Sequence, residues 1–415
     1  MKITGSLGTA IMAGLLAATC TSALAGDRVE QARERWGDHY AARVAYFIES
    51  NPEAPRGGTV FLGDSITEGM PLAQAFPGGW AINRGVGGDT IAGLRDRLDV
   101  SLAPLEPRRV ILLIGINNLV PESRAPMAEL EEQYGTLLAA ISSEAPEARI
   151  DAVSLLPLAH SFAPAAPYAQ DFNTVLRERI APDHGADYMD AARVLAAPGG
   201  ELRGPFTSDG IHLTLPGYAA LFGPLVGPEH QLEALWNLRP QWRSLLAGTR
   251  RPDAIDPPAG ATFPGGRGPD QLVVYTPEHH TETTGTNEWG TEVLVRSGTV
   301  VSAGGNDNAI PEDGLVLSGH GTAAQWLTTT VQPGSTVELA DGELRITPPP
   351  LESLGDDDAL TAVFLQYLRW LAAQPGGDPP PEAAEHLTTL MELLGADDPA
   401  GLETLRPIAA RLTTR

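Results

Sequence analysis

Between residues 59 and 189, short apolar runs alternate with longer stretches whose apolar positions recur at helical spacing. The runs are Thr59–Leu62, closed by Gly63, then Trp80–Ile82, Val110–Ile114, Ile150–Leu155 and Ala186–Met189. The helical stretches are Thr90–Leu98, Met127–Ser143 and Gln170–Ile180, with Leu215–Leu225 after the last run. A continuous apolar run reads as a strand buried on both faces, and a 3.6-residue repeat as a helix laid over it. Their alternation implies right-handed β-α-β units and a parallel sheet covered on both sides. Upstream, Val29, Trp36, Tyr40, Val44, Phe47 and Ile48 predict one amphipathic helix, which Pro52, Pro55, Gly57 and Gly58 end.

Five such strands suit a three-layer, flavodoxin-like α/β domain with a five-stranded parallel sheet, occupying 27–248 and closed by a helix over Glu229–Leu246. Pro-, Gly- and Arg-rich sequence from Arg239 to Gly268 marks a linker, drawn at 249–268. After it the pattern changes to short strands separated by turn residues: Gln271–Thr276, Glu292–Arg296, Thr299–Ser302, Leu315–Leu317 and Thr336–Leu339. These predict a small, mainly β module over 269–348, ended by Pro348–Pro350. The remaining 349–415 is helical, with an apolar stripe of Leu360, Val363, Phe364, Tyr367, Leu368 and Leu371 that Leu387, Leu390, Met391 and Leu394 continue. Such a stripe packs against a partner and carries no chemistry of its own.

Composition changes this picture at the N-terminus. Residues 1–25 carry one base, Lys2, then an uncharged Ala- and Leu-rich stretch ending Ala23-Leu24-Ala25 before charged sequence begins. That is the layout of a signal peptide cleaved after Ala25, so the expected location is secreted or periplasmic. The stretch is too short for a membrane span, and no stable membrane insertion is expected. The only cysteine, Cys20, lies inside it. A mature chain would therefore hold no disulfide or thiolate metal site. A lipid anchor at Cys20 is disfavoured, because Thr19 stands where a small residue normally precedes a lipidated cysteine. The formal charge of −24 would become −25 on loss of Lys2. A surface so acidic repels nucleic acid and anionic lipid, which excludes both as expected partners.

Four polar clusters fall at the ends of predicted strands, where open α/β sheets bind ligands. Gly63-Asp64-Ser65 follows the first, and alone is an ordinary turn. Asn83 to Thr90 follows the second, a glycine-rich turn with neither a Gly-x-Gly-x-x-Gly nor a Lys-Ser/Thr phosphate pattern. Gly115-Ile116-Asn117-Asn118 follows the third, where an asparagine also serves as a cap. Thr207 to Thr214 lies past the fifth and contains Asp209 and His212, whose three-residue separation lets the carboxylate reach the imidazole Nδ1. Together they supply what acyl transfer needs. Ser65 is the candidate nucleophile, His212 its base, and Asp209 the group that fixes the His212 tautomer. Backbone N–H groups of Ser65 and of the glycine-rich turn, with the side-chain amide of Asn117, are candidate donors to an oxyanion.

In this order the blocks resemble those of the SGNH/GDSL hydrolases over about residues 58–222. The turn Gly85-Val86-Gly87-Gly88-Asp89 and the doublet Asn117-Asn118 are most similar to the platelet-activating-factor acetylhydrolase α-subunit branch. The resemblance selects Gly88, rather than Gly85 or Gly87, as the oxyanion glycine. It implies an ester hydrolase using catalytic Ser65, Asp209 and His212, an oxyanion hole of Ser65, Gly88 and Asn117, and no cofactor or metal. Many relatives carry Asp where this chain has Asn118, which bears on how Asn117 is held.

Other candidates have plainer readings. His279-His280 with Glu278 and Glu282 lack a further metal ligand at useful spacing, and His39, His160 and His184 read as solvated or packed. Asp356-Asp357-Asp358 suit a helix N-terminus. The β module is loosely similar to a segment of secreted bacterial phosphodiester-glycosidase-like proteins, and within it Trp289 suits either a sugar platform or a packed turn. The sequence therefore points to a secreted serine esterase acting on small acyl esters, foremost O-acetyl groups on a glycan. The alternatives are a lysophospholipase or short-chain lipase, or a catalytically degenerate cell-wall or glycan-binding protein.

Overall fold

The computed structural model describes residues 26–119, 124–207, 209–239, 349–396 and 401–413, together with six strands between 272 and 347. The signal-peptide reading, the 249–268 linker, the His279-His280 pair and Trp289 lie outside the described residues. Among the described residues no helix is long and apolar enough to cross a membrane.

Five parallel strands form the expected sheet: β1 (Thr59–Gly63), β2 (Ala81–Gly85), β3 (Arg109–Leu113), β4 (Arg149–Val153) and β5 (Asp187–Met189), in the order β2-β1-β3-β4-β5. Every residue of β1 is buried, as are Val110 to Leu113 of β3, which is why these runs read as apolar without alternation. The register aligns Gly63 at the end of β1 with Gly85 of β2 and Leu113 of β3. The chain leaves β1 toward β2 on one side and reaches β3 on the other, so the carboxyl end of β1 is a topological switch point where a crevice opens. Ser65 stands two residues beyond it.

The helices obey the same logic. Leu130, Tyr134, Leu137, Leu138 and Ile141 make the buried face of the helix Met127–Glu144, matching the expected stripe. The N-terminal stretch, in contrast, is two helices meeting at Gly37, the second being α1 (Asp38–Ser50), whose Tyr40, Ala41, Val44 and Phe47 are buried. The closing helix is described over Pro228–Asn237, and its expected continuation over 240–246 lies outside the described residues. In the β module the strands Leu272–Tyr275, Gly290–Arg296, Thr299–Ala303, Gly314–His320 and Thr336–Ala340 are joined by a sixth, Glu343–Thr347. That strand pairs antiparallel with Thr336–Ala340. Its alternation of Glu343 and Arg345 with Leu344 and Ile346 is the period-2 pattern of a half-buried strand, which a search for continuous apolar runs passes over.

The C-terminal helices return to the first domain. The stripe of Leu360, Val363, Phe364, Tyr367, Leu368 and Leu371 joins the same buried cluster as the sheet residues Val60, Leu62 and Leu112. Phe364 meets Phe206 edge to face with ring centroids 5.8 Å apart. Arg203, itself buried, donates to Thr361 Oγ1 at 3.3 Å and to the Leu394 carbonyl at 3.4 Å. Trp236 Nε1 donates to the Gly377 carbonyl at 2.8 Å. Because Phe206 immediately precedes the loop that carries Asp209 and His212, these helices support the site from behind. Phe364→Ala is expected to lower the unfolding free energy by about 3–5 kcal/mol. In a urea titration, the first domain and the C-terminal helices should lose structure in one transition; two separate transitions would show that they do not share a core.

Candidate active site

The turn bearing Ser65 is pinned from several sides. Ser65 opens α2 (Ser65–Glu68), capped by Asp64, whose Oδ1 accepts from Ile66 N–H at 3.0 Å. So short a helix leaves its carbonyls exposed to pairing from outside. Asn83 Nδ2 donates to the Thr67 carbonyl at 2.7 Å, and Tyr218 Oη to the Ile66 carbonyl at 2.8 Å. The Gly63 carbonyl accepts from Val86 N–H at 3.1 Å and from Arg97 Nη2 at 3.0 Å. Arg97 also pairs with Asp89 at 2.8 Å, both side chains almost fully buried. One guanidinium thus ties the residue before the Ser65 turn to the glycine-rich turn after β2.

The structure brings Ser65, His212 and Asp209 into a single hydrogen-bonded chain. Ser65 Oγ lies 2.9 Å from His212 Nε2, and His212 Nδ1 lies 2.6 Å from Asp209 Oδ2. Asp209 Oδ1 accepts from the backbone N–H groups of Ile211 and His212 at 3.0 and 2.8 Å, so its carboxylate is held through both oxygens. Burial works against ionising Asp209, but its hydrogen bonds to His212 and to these amides, with the His212 charge, leave its pKa below the ordinary carboxylate value. Burial likewise disfavours protonated His212, yet the Asp209 hydrogen bond and charge, then Asp64, outweigh it and raise the His212 pKa above 6.5. Asp64, buried and adjacent to Ser65 in the chain, is pushed up to about 7, chiefly by loss of water.

The loop holding the pair is built on threonines and one glycine. Thr207 Oγ1 accepts from Gly210 N–H and donates to the His212 carbonyl, each at 2.8 Å. Thr214 caps the next helix, Leu215–Val226, by accepting from Gly217 N–H. Gly210 sits at φ +95°, and a Cβ there would stand 2.2 Å from the Ala159 carbonyl oxygen. Side chains are excluded by both backbone conformation and contact. Gly210→Ala should displace the Asp209–His212 pair and lower kcat by about 100-fold, with KM changed little. A kcat close to wild type in steady-state ester hydrolysis would show that the loop tolerates the shift.

The remaining predicted residues flank Ser65. Gly88 lies beyond β2 at φ +76°, exposed and with nothing within 4 Å of where a Cβ would be. Asn117 follows β3 on the other side, its Nδ2 donating to the Asp89 carbonyl at 2.8 Å. The neighbouring Asn118 accepts from Ile91 N–H at 3.1 Å and so ties the β3 turn to the helix Ile91–Asp96. The arrangement supplies a hydroxyl on a base, a base on an oriented carboxylate, and amide groups on both sides of the hydroxyl. Chemically, it can add the hydroxyl to a carbonyl carbon and meet the charge that forms.

Sequence reading missed four residues around this centre. Arg97 and Asp89 form the buried pair above. His39, read as solvated or packed, lies 3.0 Å from Glu68 Oε2, and Glu68, at the end of α2, accepts from Gly87 N–H at 2.5 Å. Glu68 stands three residues after Ser65 on a helical turn, which is the signal that would have found it. His184 is exposed, its Nδ1 within hydrogen-bond distance of the Ile180 carbonyl at 2.9 Å. His160 is exposed at φ +51°.

Comparison with known proteins bears on the same segment. Residues 61–220 match the GDSL-like lipase/acylhydrolase family. The platelet-activating factor acetylhydrolase IB subunit alpha1 of Pongo abelii is 25% identical over 190 residues, which span 45% of this chain and 78% of that protein. Among solved structures, a GDSL-like lipase from Bacteroides thetaiotaomicron is 19% identical with a TM-score of 0.40, covering 44% of this chain and 94% of the other. An acetylxylan esterase from Geobacillus stearothermophilus is 16% identical with a TM-score of 0.33, covering 43% and 95%.

Proposed function

We propose that this chain, an ester hydrolase whose residues 61–220 belong to the GDSL-like lipase/acylhydrolase family, is a serine esterase that removes small acyl groups, foremost acetyl, through an acyl-enzyme on Ser65. The observation that carries this reading is the continuous hydrogen-bonded chain from Ser65 Oγ through His212 to Asp209. His212 Nε2 takes the hydroxyl proton as Ser65 Oγ bonds to the ester carbonyl carbon, and Asp209 stabilises the imidazolium. The oxyanion is received by Ser65 N–H, Gly88 N–H and the Asn117 amide. Collapse breaks the bond to the leaving alcohol, which receives the proton from His212. Water then attacks the acyl-enzyme with His212 again as base, releasing the acid and restoring Ser65.

The preference for acetyl is supported by the named activity of the acetylhydrolase relative. Action on extracellular acetylated glycans extends the reading through the leader-like residues 1–25. The test is to treat the protein with a fluorophosphonate probe and map the adduct by mass spectrometry, then measure hydrolysis of p-nitrophenyl esters of increasing chain length and acetate release from acetylated polysaccharides. A single adduct on Ser65 and a preference for acetyl are expected. No adduct would overturn the serine mechanism, and faster turnover of long acyl chains would overturn the acetyl preference.

A further inference from the structure

An oxyanion donor works only if it is already aimed when charge develops, so whatever fixes the turn bearing Gly88 belongs to the catalytic design. That turn contains adjacent glycines, Gly87 and Gly88, the least conformationally restricted pair available. Its ends are anchored. Val86 is buried and donates to the Gly63 carbonyl, and Asp89 is buried in its pair with Arg97. Between those anchors, Gly87 N–H donates to Glu68 Oε2 at 2.5 Å, a hydrogen bond to a charged acceptor. Glu68 ends the helix that Ser65 begins, so one carboxylate links the nucleophile to the amide immediately before the proposed oxyanion donor.

Glu68 is held in turn by α1. Arg43 Nε lies 3.4 Å from Glu68 Oε1, while Arg43 Nε and Nη2 donate to the Gly85 carbonyl at 3.1 and 2.8 Å. His39 Nε2 reaches Glu68 Oε2 at 3.0 Å. Both residues precede the segment that matches the family. Gly85 packs so tightly against this helix that a Cβ would stand 2.1 Å from Glu68 N. The two elements cannot slide past each other, and side chains from α1 close the assembly.

We infer that Glu68, braced by Arg43 and His39, is a positioning residue that fixes the Val86–Asp89 turn so that Gly88 N–H points at the oxyanion. This rests on the serine-esterase reading, and it assigns α1 a part in catalysis rather than in packing alone. Glu68 touches no reacting atom. Its effect should therefore fall on the transition state and leave ground-state binding nearly unchanged.

The experiment compares wild type, Glu68→Ala, Glu68→Gln and Arg43→Met in p-nitrophenyl acetate hydrolysis and in inhibition by a small boronic acid, which forms a tetrahedral adduct on the serine. Assays are run well below each variant's melting temperature. Glu68→Ala is expected to lower kcat by up to about 100-fold with KM nearly constant, and to weaken boronic acid inhibition in parallel. Glu68→Gln keeps a carbonyl oxygen for Gly87 N–H and should recover most of the loss; Arg43→Met should fall between. Unchanged kcat and inhibition in a folded Glu68→Ala would overturn the inference, as would a kcat loss with unaltered inhibition. If wild type takes no fluorophosphonate label, the esterase reading fails and this one with it. If wild type is labelled and active while Glu68→Ala matches it, this inference alone fails.

Discussion

Ser65→Ala is expected to lower kcat for a small acetyl ester by about 10⁴- to 10⁶-fold and to abolish fluorophosphonate labelling. The size follows from what remains: His212, Asp209 and the candidate oxyanion donors stay in place, but no atom is left to form the acyl-enzyme. The fold should be indifferent. Ser65 Oγ has His212 Nε2 as partner, and losing one such hydrogen bond at a partly exposed site changes stability by only about 1 kcal/mol. Equal urea midpoints with opposite activities would separate chemistry from folding. Residual turnover within tenfold of wild type would mean that another group attacks the ester.

Asp209→Asn should cost nearly as much, about 10⁴-fold in kcat, for a different reason. Asp209 Oδ1 is committed to the amides of Ile211 and His212, so an asparagine placed to keep those bonds turns its NH₂ toward His212 Nδ1. Nδ1 must then accept, the proton moves to Nε2, and Nε2 can no longer receive the proton of Ser65. The pH dependence separates this from simple disruption. His212 acts as a base only when neutral, and its pKa is raised above 6.5, so wild-type kcat/KM should fall as pH drops through a midpoint above that value. Removing the Asp209 charge should move the midpoint down. An unshifted acid limb would show that another group governs it.

The same pair sets opposite stability trends. Raised in the fold, His212 contributes stability that is full below its unfolded pKa and is lost as pH rises through its folded pKa. Asp209, depressed in the fold, contributes stability present above 3.8 and lost as pH falls through its folded pKa.

The central strands were legible because they are buried on both faces: Val60, Phe61 and Leu62 or Val110 to Leu113 leave short continuous apolar runs bounded by turn residues. Ser65, Gly88 and Asn117 stood out as local motifs after β1, β2 and β3, and Asp209 with His212 as a three-residue motif well past β5; of these the structure joins Ser65, His212 and Asp209. What stayed hidden is long-range and polar. Arg97 meets the Gly63 carbonyl across 34 residues and Arg43 the Gly85 carbonyl across 42, and neither pairing imposes any period on the sequence. The apolar stripe at Leu360 to Leu371 announced that a partner existed, but hydrophobic contact is non-directional and the pattern could not say which surface it covers. Only the fold identifies Phe206, beside the His212 loop, as part of that surface.

That return of the chain bears on how the protein is made. The helix Asp356–Ala373 packs on residues synthesised more than a hundred positions earlier, with the whole β module emerging in between. On a ribosome or in a translocation channel, the first domain must wait with its Phe206 face open until those helices arrive. A chain interrupted anywhere between 240 and 355 exposes that apolar face, a ready target for chaperones and proteases. The surface beside the His212 loop is thus covered only once residues 356–373 have been made.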